Sequence, residues 1–154
     1  MVYPSQRLIE LGIELPTVPA PVAAYVPAIR DGDTVRTSGQ LPFVSGRLSL
    51  SGKVGAAVSA EEAYTLARSA ALNAVAAAAE AVGGIDNLER VLHVTVFVAS
   101  ADDFTGQPQV ANGASELLGE VFGDAGEHTR SAVGVSVLPL DSPVEIELTC
   151  RVRR

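Results

Sequence analysis

The chain has 154 residues, 47% of them apolar and 19% charged, with a formal net charge of −7 and a pI near 4.7. That length buries a sizeable core in one domain, whereas the acidic balance argues against nucleic-acid and anionic-membrane binding, which collect basic side chains to neutralise phosphate. A single cysteine, Cys150, leaves no internal disulfide and no cysteine-rich metal site, as in a reducing compartment.

A mean hydropathy of +0.28 is high for a monomer, so part of the apolar surface is expected to be covered by another subunit. Residues 1–7 lack a basic start followed by an apolar core. The most apolar stretch, residues 70–82, is interrupted by Asn73 and Glu80 and is too short to span a bilayer. A cytoplasmic protein without membrane contact is expected.

Ser5 is expected to cap a short helix that runs to Leu11 and stops at Gly12, after which three prolines in residues 13–22 suggest an arm lying on the domain. The organisation expected is an N-terminal arm over residues 1–23 and one domain over 24–154. Asp31-Gly32-Asp33 stands between two short β-rich runs, residues 24–30 and 34–38, and signals a hairpin. Ser45-Gly46 and Ser51-Gly52 mark turns around a short strand expected over residues 47–50.

Ser59-Ala60-Glu61-Glu62 fits a capping box opening a helix that Gly83-Gly84 closes. Ala63, Leu66, Ala67, Ala70, Ala74, Ala77, Ala78 and Ala81 recur at helical spacing, and side chains this small let the helix lie close to a sheet. Residues 90–99 read as a long strand, with Leu92, Val94, Val96 and Val98 on one side and Val91, His93, Thr95 and Phe97 on the other. Pro108 suits the first turn of a second helix whose apolar stripe is Val110, Ala114, Leu117, Leu118 and Val121, with Gly123 at its end. In the last stretch Val133, Val135 and Val137 alternate with small residues. After a break at residues 138–143, Val144, Ile146, Leu148, Cys150 and Val152 alternate with Glu145, Glu147, Thr149 and Arg151. These are two strands joined by a short connection. The order hairpin, helix, strand, helix, strand, strand implies an α+β layer, a mixed sheet with two main helices on one face.

His93 and His128 have no His or Cys at ligand spacing, so no metal is expected, and phosphate-loop, dinucleotide and nucleophile-elbow motifs are missing. His93 is expected to be packed or hydrogen-bonded. Arg130 stands at a strand start beside small residues, and its planar fork matches a carboxylate. The residue pattern leaves it open between a carboxylate anchor and an ion-pairing surface arginine. Glu145 and Glu147 read first as a solvated strand face, with the alternative that a carboxylate in a pocket orients water or takes up a proton.

The segments Ala24-Tyr25-Val26-Pro27, Thr37-Ser38-Gly39-Gln40-Leu41-Pro42, Val94-Thr95-Val96-Phe97-Val98, Asn112, Arg130-Ser131 and Leu138-Pro139 followed by Val144-Glu145-Ile146-Glu147 together resemble the RidA (YjgF) family of reactive-intermediate deaminases. The likeness runs from Pro21 to Arg154. It implies a chorismate-mutase-like α+β fold and a homotrimer whose sheets face a barrel-like interior. It further implies inter-subunit clefts that hydrolyse 2-imino and enamino acids to 2-oxo acids and ammonia without metal or organic cofactor. By the resemblance Arg130 matches the arginine that binds the substrate carboxylate and Glu145 the glutamate that positions water. Tyr25, Ser38, Gly39 and Asn112 match cleft-lining residues, with a main-chain carbonyl near Ala132. Ala132 replaces the cysteine of the best-known members, and residues 1–20, 48–57 and 119–128 are longer than in compact ones, which marks a divergent subgroup. Two rival activities accompany the resemblance: a non-catalytic trimeric binder of a small carboxylate metabolite, and an endoribonuclease, which the acidic charge disfavours.

Overall fold

The computed structural model describes residues 2–20 and 24–154. The expected boundary between residues 23 and 24 abuts residues 21–23, which lie outside the described residues. Ser59 Oγ accepts from the Glu62 N–H at 3.1 Å while Glu62 Oε1 accepts from the Ser59 N–H at 3.0 Å, and this reciprocal cap opens α2 (Ala60–Ala81). A second long helix, α3 (Gln107–Phe122), carries Pro108 in its first turn and stops at Gly123, whose φ of 60° suits glycine.

Five strands form one sheet: β1 (Ala28–Asp31), β2 (Thr34–Thr37), β3 (Leu88–Ala99), β4 (Thr129–Val135) and β5 (Val144–Val152), in spatial order β1-β2-β5-β3-β4. Only β3 and β4 run parallel, joined by the α3 crossover; the other neighbours are antiparallel. Val35, Val94, Val96, Val98, Ile146, Leu148 and Cys150 are buried on the face that α2 and α3 cover. The mixed α+β sheet with both long helices on one face is therefore as expected. The other face carries Phe97, Glu145 and Glu147 half-buried and Ile29 and Val133 exposed.

Four local expectations are corrected. The last two strands are not neighbours, because β3 inserts between β4 and β5; alternation gives the face of a strand but not its neighbour. Register shifts between Leu88 and Arg90 and between Val91 and His93 break the pleat of β3, so Val91 is fully buried while Leu92 is only partly so. Residues 47–50 form no strand: a single Val44–Arg47 bridge closes a turn in which Ser45 and Gly46 have φ of 52° and 77°. Ser5 lies inside α1 (Pro4–Leu11) rather than capping it. Tyr3 is the N-cap, and the backbone N–H and hydroxyl of Ser5 reach the Asp86 carboxylate at 2.9 and 2.6 Å. Leu8 is buried and Arg7 Nε donates to the Glu120 carbonyl at 3.1 Å, which ties α1 to α3.

The contact between α2 and α3 depends on Gly113, where a Cβ would stand 2.1 Å from the Tyr64 carbonyl oxygen. Backbone cannot give way as a side-chain tip can. Gly113→Ala is expected to destabilise the protein by about 1–3 kcal/mol or more, lowering Tm in a thermal melt by roughly 2–12 °C.

Candidate functional site

The parallel register of β3 and β4 sets Arg130 level with Val94, so its side chain rises on the face that carries the helices. Nη1 donates there to Asn112 Oδ1 at 2.8 Å and to Ser115 Oγ at 3.1 Å, both on α3. Asn112 and Ser115 are one helical step of three apart and so share a face. Arg130 takes part in no ion pair among the described residues, unlike Arg7, Arg36, Arg68, Arg151 and Arg154. Its hydrogen bonds use Nη1 alone, leaving the side-by-side Nε–H and Nη2–H without a partner among the described residues. That pair of donors is the edge of a guanidinium that grips a carboxylate with two parallel bonds. Arg130 also lines a cleft of about 510 Å³ with Ser115, Gly119, Asp124, Glu127 and His128.

Ala132 follows on the same strand, and β4 is the sheet edge. The Val135 carbonyl accepts from the Ser100 N–H at 3.0 Å, so odd-numbered residues of β4 turn their backbone groups toward β3. By alternation the N–H and C=O of Ala132 point away from the sheet, at an unpaired edge.

Glu145 belongs to the other face. It stands opposite Phe97 in the β5–β3 register, and Glu147 stands opposite Thr95. The segment after β2 is stitched to β5 by two backbone bonds, Gln40 N–H to the Ile146 carbonyl at 2.7 Å and Ile146 N–H to that of Gln40 at 3.0 Å. Asn73, which interrupts the alanine run of α2, donates to the Leu41 and Phe43 carbonyls at 2.9 Å each and anchors the same segment from below. Gly39 is thereby pressed on Glu145: a Cβ there would lie 2.7 Å from its Cδ. Ser38 donates through Oγ to the Val26 carbonyl at 2.6 Å and through its N–H to that of Pro27 at 2.8 Å, which ties the residues just after the exposed Tyr25 to this segment. Burial, and secondly the neighbouring Glu147 carboxylate, hold the Glu145 carboxyl above its ordinary range. Arg36 pairs loosely with Glu147 at 3.7 Å.

The structure thus divides the candidate residues into two groups. Arg130, Asn112 and Ala132 gather around α3 and β4, whereas Ser38, Gly39 and Glu145 gather where the segment following β2 meets β5, with the exposed Tyr25 one residue before the Val26 carbonyl that Ser38 holds. Within one chain the groups lie on opposite faces of the sheet with β3 between them. Sequence reasoning missed Ser115, although its i, i+3 relation to Asn112 was a usable signal. His93 is hydrogen-bonded as expected, through Nδ1 to Thr129 Oγ1 at 2.7 Å. No group of three His, Cys, Asp or Glu among the described residues could hold a metal ion, and no helix among them is long and apolar enough to cross a membrane.

Known proteins carry the same architecture. Residues 5–151 match the family described as "YjgF/chorismate mutase-like, putative endoribonuclease". Protein TCP17 of Trypanosoma cruzi is 41% identical over 142 residues, which span 92% of this chain and 89% of that protein. The crystal structure titled "putative endoribonuclease" from Shewanella oneidensis MR-1 superposes with a TM-score of 0.93 at 33% identity, covering 98% of this chain and all of that one (100%). Escherichia coli TdcF, solved with bound serine, superposes with a TM-score of 0.60 at 26% identity over 89% of this chain and 94% of its own. The order of elements, the mixed sheet beneath two long helices and these matches together make the chain a member of the YjgF (RidA) family.

Proposed function

We propose that the protein hydrolyses a reactive 2-imino or enamino acid to a 2-oxo acid and ammonia, at a site completed by two copies of the chain. The observation that carries this reading is Arg130, a guanidinium that among the described residues is held only by neutral oxygens, with its carboxylate-gripping edge unpaired there. The serine bound in TdcF, itself a small carboxylate, supports the same ligand class. Because Glu145 lies on the opposite sheet face, the cleft forms where the Arg130 group of one copy meets the Glu145 group of the next. A homotrimer with the partly exposed sheet faces, including Ile29 and Val133, turned to a barrel-like interior satisfies this requirement and covers that apolar surface. A cytoplasmic location fits the buried free Cys150, whose thiol burial pushes up to about 12.

In the proposed reaction Arg130 clamps the substrate carboxylate and fixes the adjacent imine carbon. Glu145 of the neighbouring copy and the edge carbonyl of Ala132 hold a water, which adds to that carbon to give a carbinolamine. Glu145 takes the proton that the water loses, and a hydroxyl from Tyr25 or Ser38 relays it to the nitrogen; the carbinolamine hydroxyl then gives up its proton to the nitrogen by the same route as ammonia leaves, and the 2-oxo acid remains. One water is consumed and no covalent enzyme intermediate forms. A positioned proton-transfer group contributes about 10²–10⁴-fold, which suffices for a bond that already hydrolyses readily.

The test couples the purified protein to a dehydratase that releases 2-iminobutanoate and follows the imine's decay. Wild type is expected to accelerate decay, and Arg130→Ala to lose about 10²-fold or more in kcat/KM. Decay at the buffer rate with wild type sinks the reading. Ligand-induced stabilisation by 2-oxobutanoate without turnover would favour the binding protein, and RNA cleavage lost in Arg130→Ala would favour the ribonuclease named in the family description.

Sharing between copies has its own signature. Mixing Arg130→Ala with Glu145→Gln and reassembling should restore activity that neither variant has alone, in about a quarter of sites for random equal mixing around a ring. No recovery in verified mixed oligomers would rule out a composite site.

Glu145 works ionised in this scheme, so the acid limb of the rate profile should lie above the range of an ordinary glutamate. Glu147→Gln removes the smaller cause of the shift and should move that limb to lower pH. A carboxyl whose folded pKa exceeds its unfolded value destabilises the fold when ionised. The effect is full above the folded pKa and absent below the unfolded one. Glu145→Gln is therefore expected to raise Tm at neutral pH and to leave it unchanged near about pH 4. Gly39→Ala acts on the same carboxylate by displacing a movable side-chain tip. It should lower kcat by roughly tenfold or more with Tm retained.

A further inference from the structure

Arg130 Nη1 has two hydrogens, and both are engaged: one by Asn112 Oδ1 at 2.8 Å, the other by Ser115 Oγ at 3.1 Å. A serine hydroxyl that accepts from a guanidinium must direct its single proton elsewhere. The neighbour available is His128 Nε2, at 2.9 Å. For Nε2 to accept, the ring proton must sit on Nδ1, and Nδ1 lies 2.5 Å from the Gly126 carbonyl, which can only accept. For a neutral His128 ring every donor and acceptor role follows in one direction, from Arg130 to Ser115 to His128 to Gly126. Gly126 is itself a fixed end, since it is buried and a Cβ there would meet the Leu118 carbonyl oxygen at 2.3 Å.

We infer that Ser115 and His128 are positioning residues, which hold the Arg130 guanidinium so that its Nε–Nη2 edge faces the substrate carboxylate. This rests on the proposed role of Arg130. Neither side chain need touch the reacting atoms. An arginine side chain is long and rotates freely, so a carboxylate that meets it unheld must order it on binding. Asn112 alone bonds one hydrogen and leaves the head free to swing about that contact; Ser115 supplies the second point, and His128 keeps the serine from turning its proton toward the arginine. The His128 end of this relay comes from the connection between α3 and β4, residues 123–128, which thereby braces an arginine that neither α3 nor β4 fixes alone.

The experiment combines steady-state kinetics on 2-iminobutanoate, calorimetric binding of 2-oxobutanoate, and nitrogen NMR of the Arg130 guanidinium, assigned by comparison with Arg130→Lys. Ser115→Ala is expected to raise KM and the 2-oxobutanoate Kd about tenfold while kcat changes little, the pattern of lost uniform binding. Ser115→Thr, which keeps the hydroxyl, should restore both. His128→Leu should behave as a milder Ser115→Ala, and His128→Gln, which keeps an acceptor for Ser115, should sit near wild type. In the wild type the Nη1 and Nη2 resonances should be resolved, and in Ser115→Ala they should average as the head rotates. Unchanged KM and Kd in Ser115→Ala, or a threonine variant no better than the alanine one, overturns the inference. Should wild type neither turn over the imine nor bind the oxo acid, the proposed function fails and the NMR arm alone decides: averaging in Ser115→Ala upholds the positioning role, unchanged resonances overturn it.

Discussion

Side-chain alternation across β4, β3 and β5 is the constraint on which the rest of the molecule depends. Two adjacent strands, β3 and β5, present Val94, Val96, Val98, Ile146 and Leu148 to the helices, β4 adds Ala132, and burying that aliphatic face is the main term that orders the sheet. The pleat then fixes the facing of every residue in between. Arg130, level with Val94, must rise beside α3; Glu145, level with Phe97, must face away. A shift of register by one residue would exchange them and bury a carboxylate under α2, so the position of the two charged groups is set by hydrophobic packing rather than by their attraction for each other.

The same constraint explains how two groups that chemistry would place together can be kept apart in one chain. An arginine and a glutamate within reach would pair and neutralise, as Arg68 does with Glu120 at 2.6 Å. Separated by a strand, each stays uncompensated. Among the described residues Arg130 is satisfied only by neutral oxygens, and the Glu145 carboxyl is held above its ordinary range by burial and by Glu147. An ionised Glu145 carboxylate in this setting costs stability locally. The proposed reaction uses that condition, bringing a carboxylate to one group and a water to the other.

Much of this was legible in the sequence because the signals were local. The Ser59–Glu62 cap, the Asp31-Gly32 turn and the alternation of residues 144–152 each specify their own backbone, and all three appear as expected. Non-local features were not legible. Nothing in residues 128–152 says that β3 lies between the two strands they form, and no local signal marks the register shifts that bury Val91 in place of Leu92. Ser5 looked like a cap because caps are serines; the structure turns it toward Asp86, 81 positions away. The site residues follow the same division. Resemblance located them one by one, but their sorting onto two faces is a property of the sheet.

Ala132 shows how far that sorting carries the chemistry. Its side chain packs toward the core, beneath the helices, while its carbonyl projects from the free edge of β4. A residue at this position can therefore vary in its side chain without altering the backbone oxygen that a water would meet. Replacing cysteine by alanine removes a polarisable sulfur from the packed side and leaves the edge as it was. An unpaired edge strand is ordinarily a liability, since it invites another chain to add to it. Here the exposed edge lies beside Arg130 and the exposed Val133, so the surface left open by the sheet is also the surface at which the proposed second copy would bring Glu145 to the arginine. Catalysis and assembly would then draw on one unsatisfied edge, and a copy that closed it fully with backbone pairing would remove the carbonyl from reach. In the proposed assembly a second copy would approach Arg130 by its Gly39–Glu145 patch and leave the Ala132 carbonyl to the water.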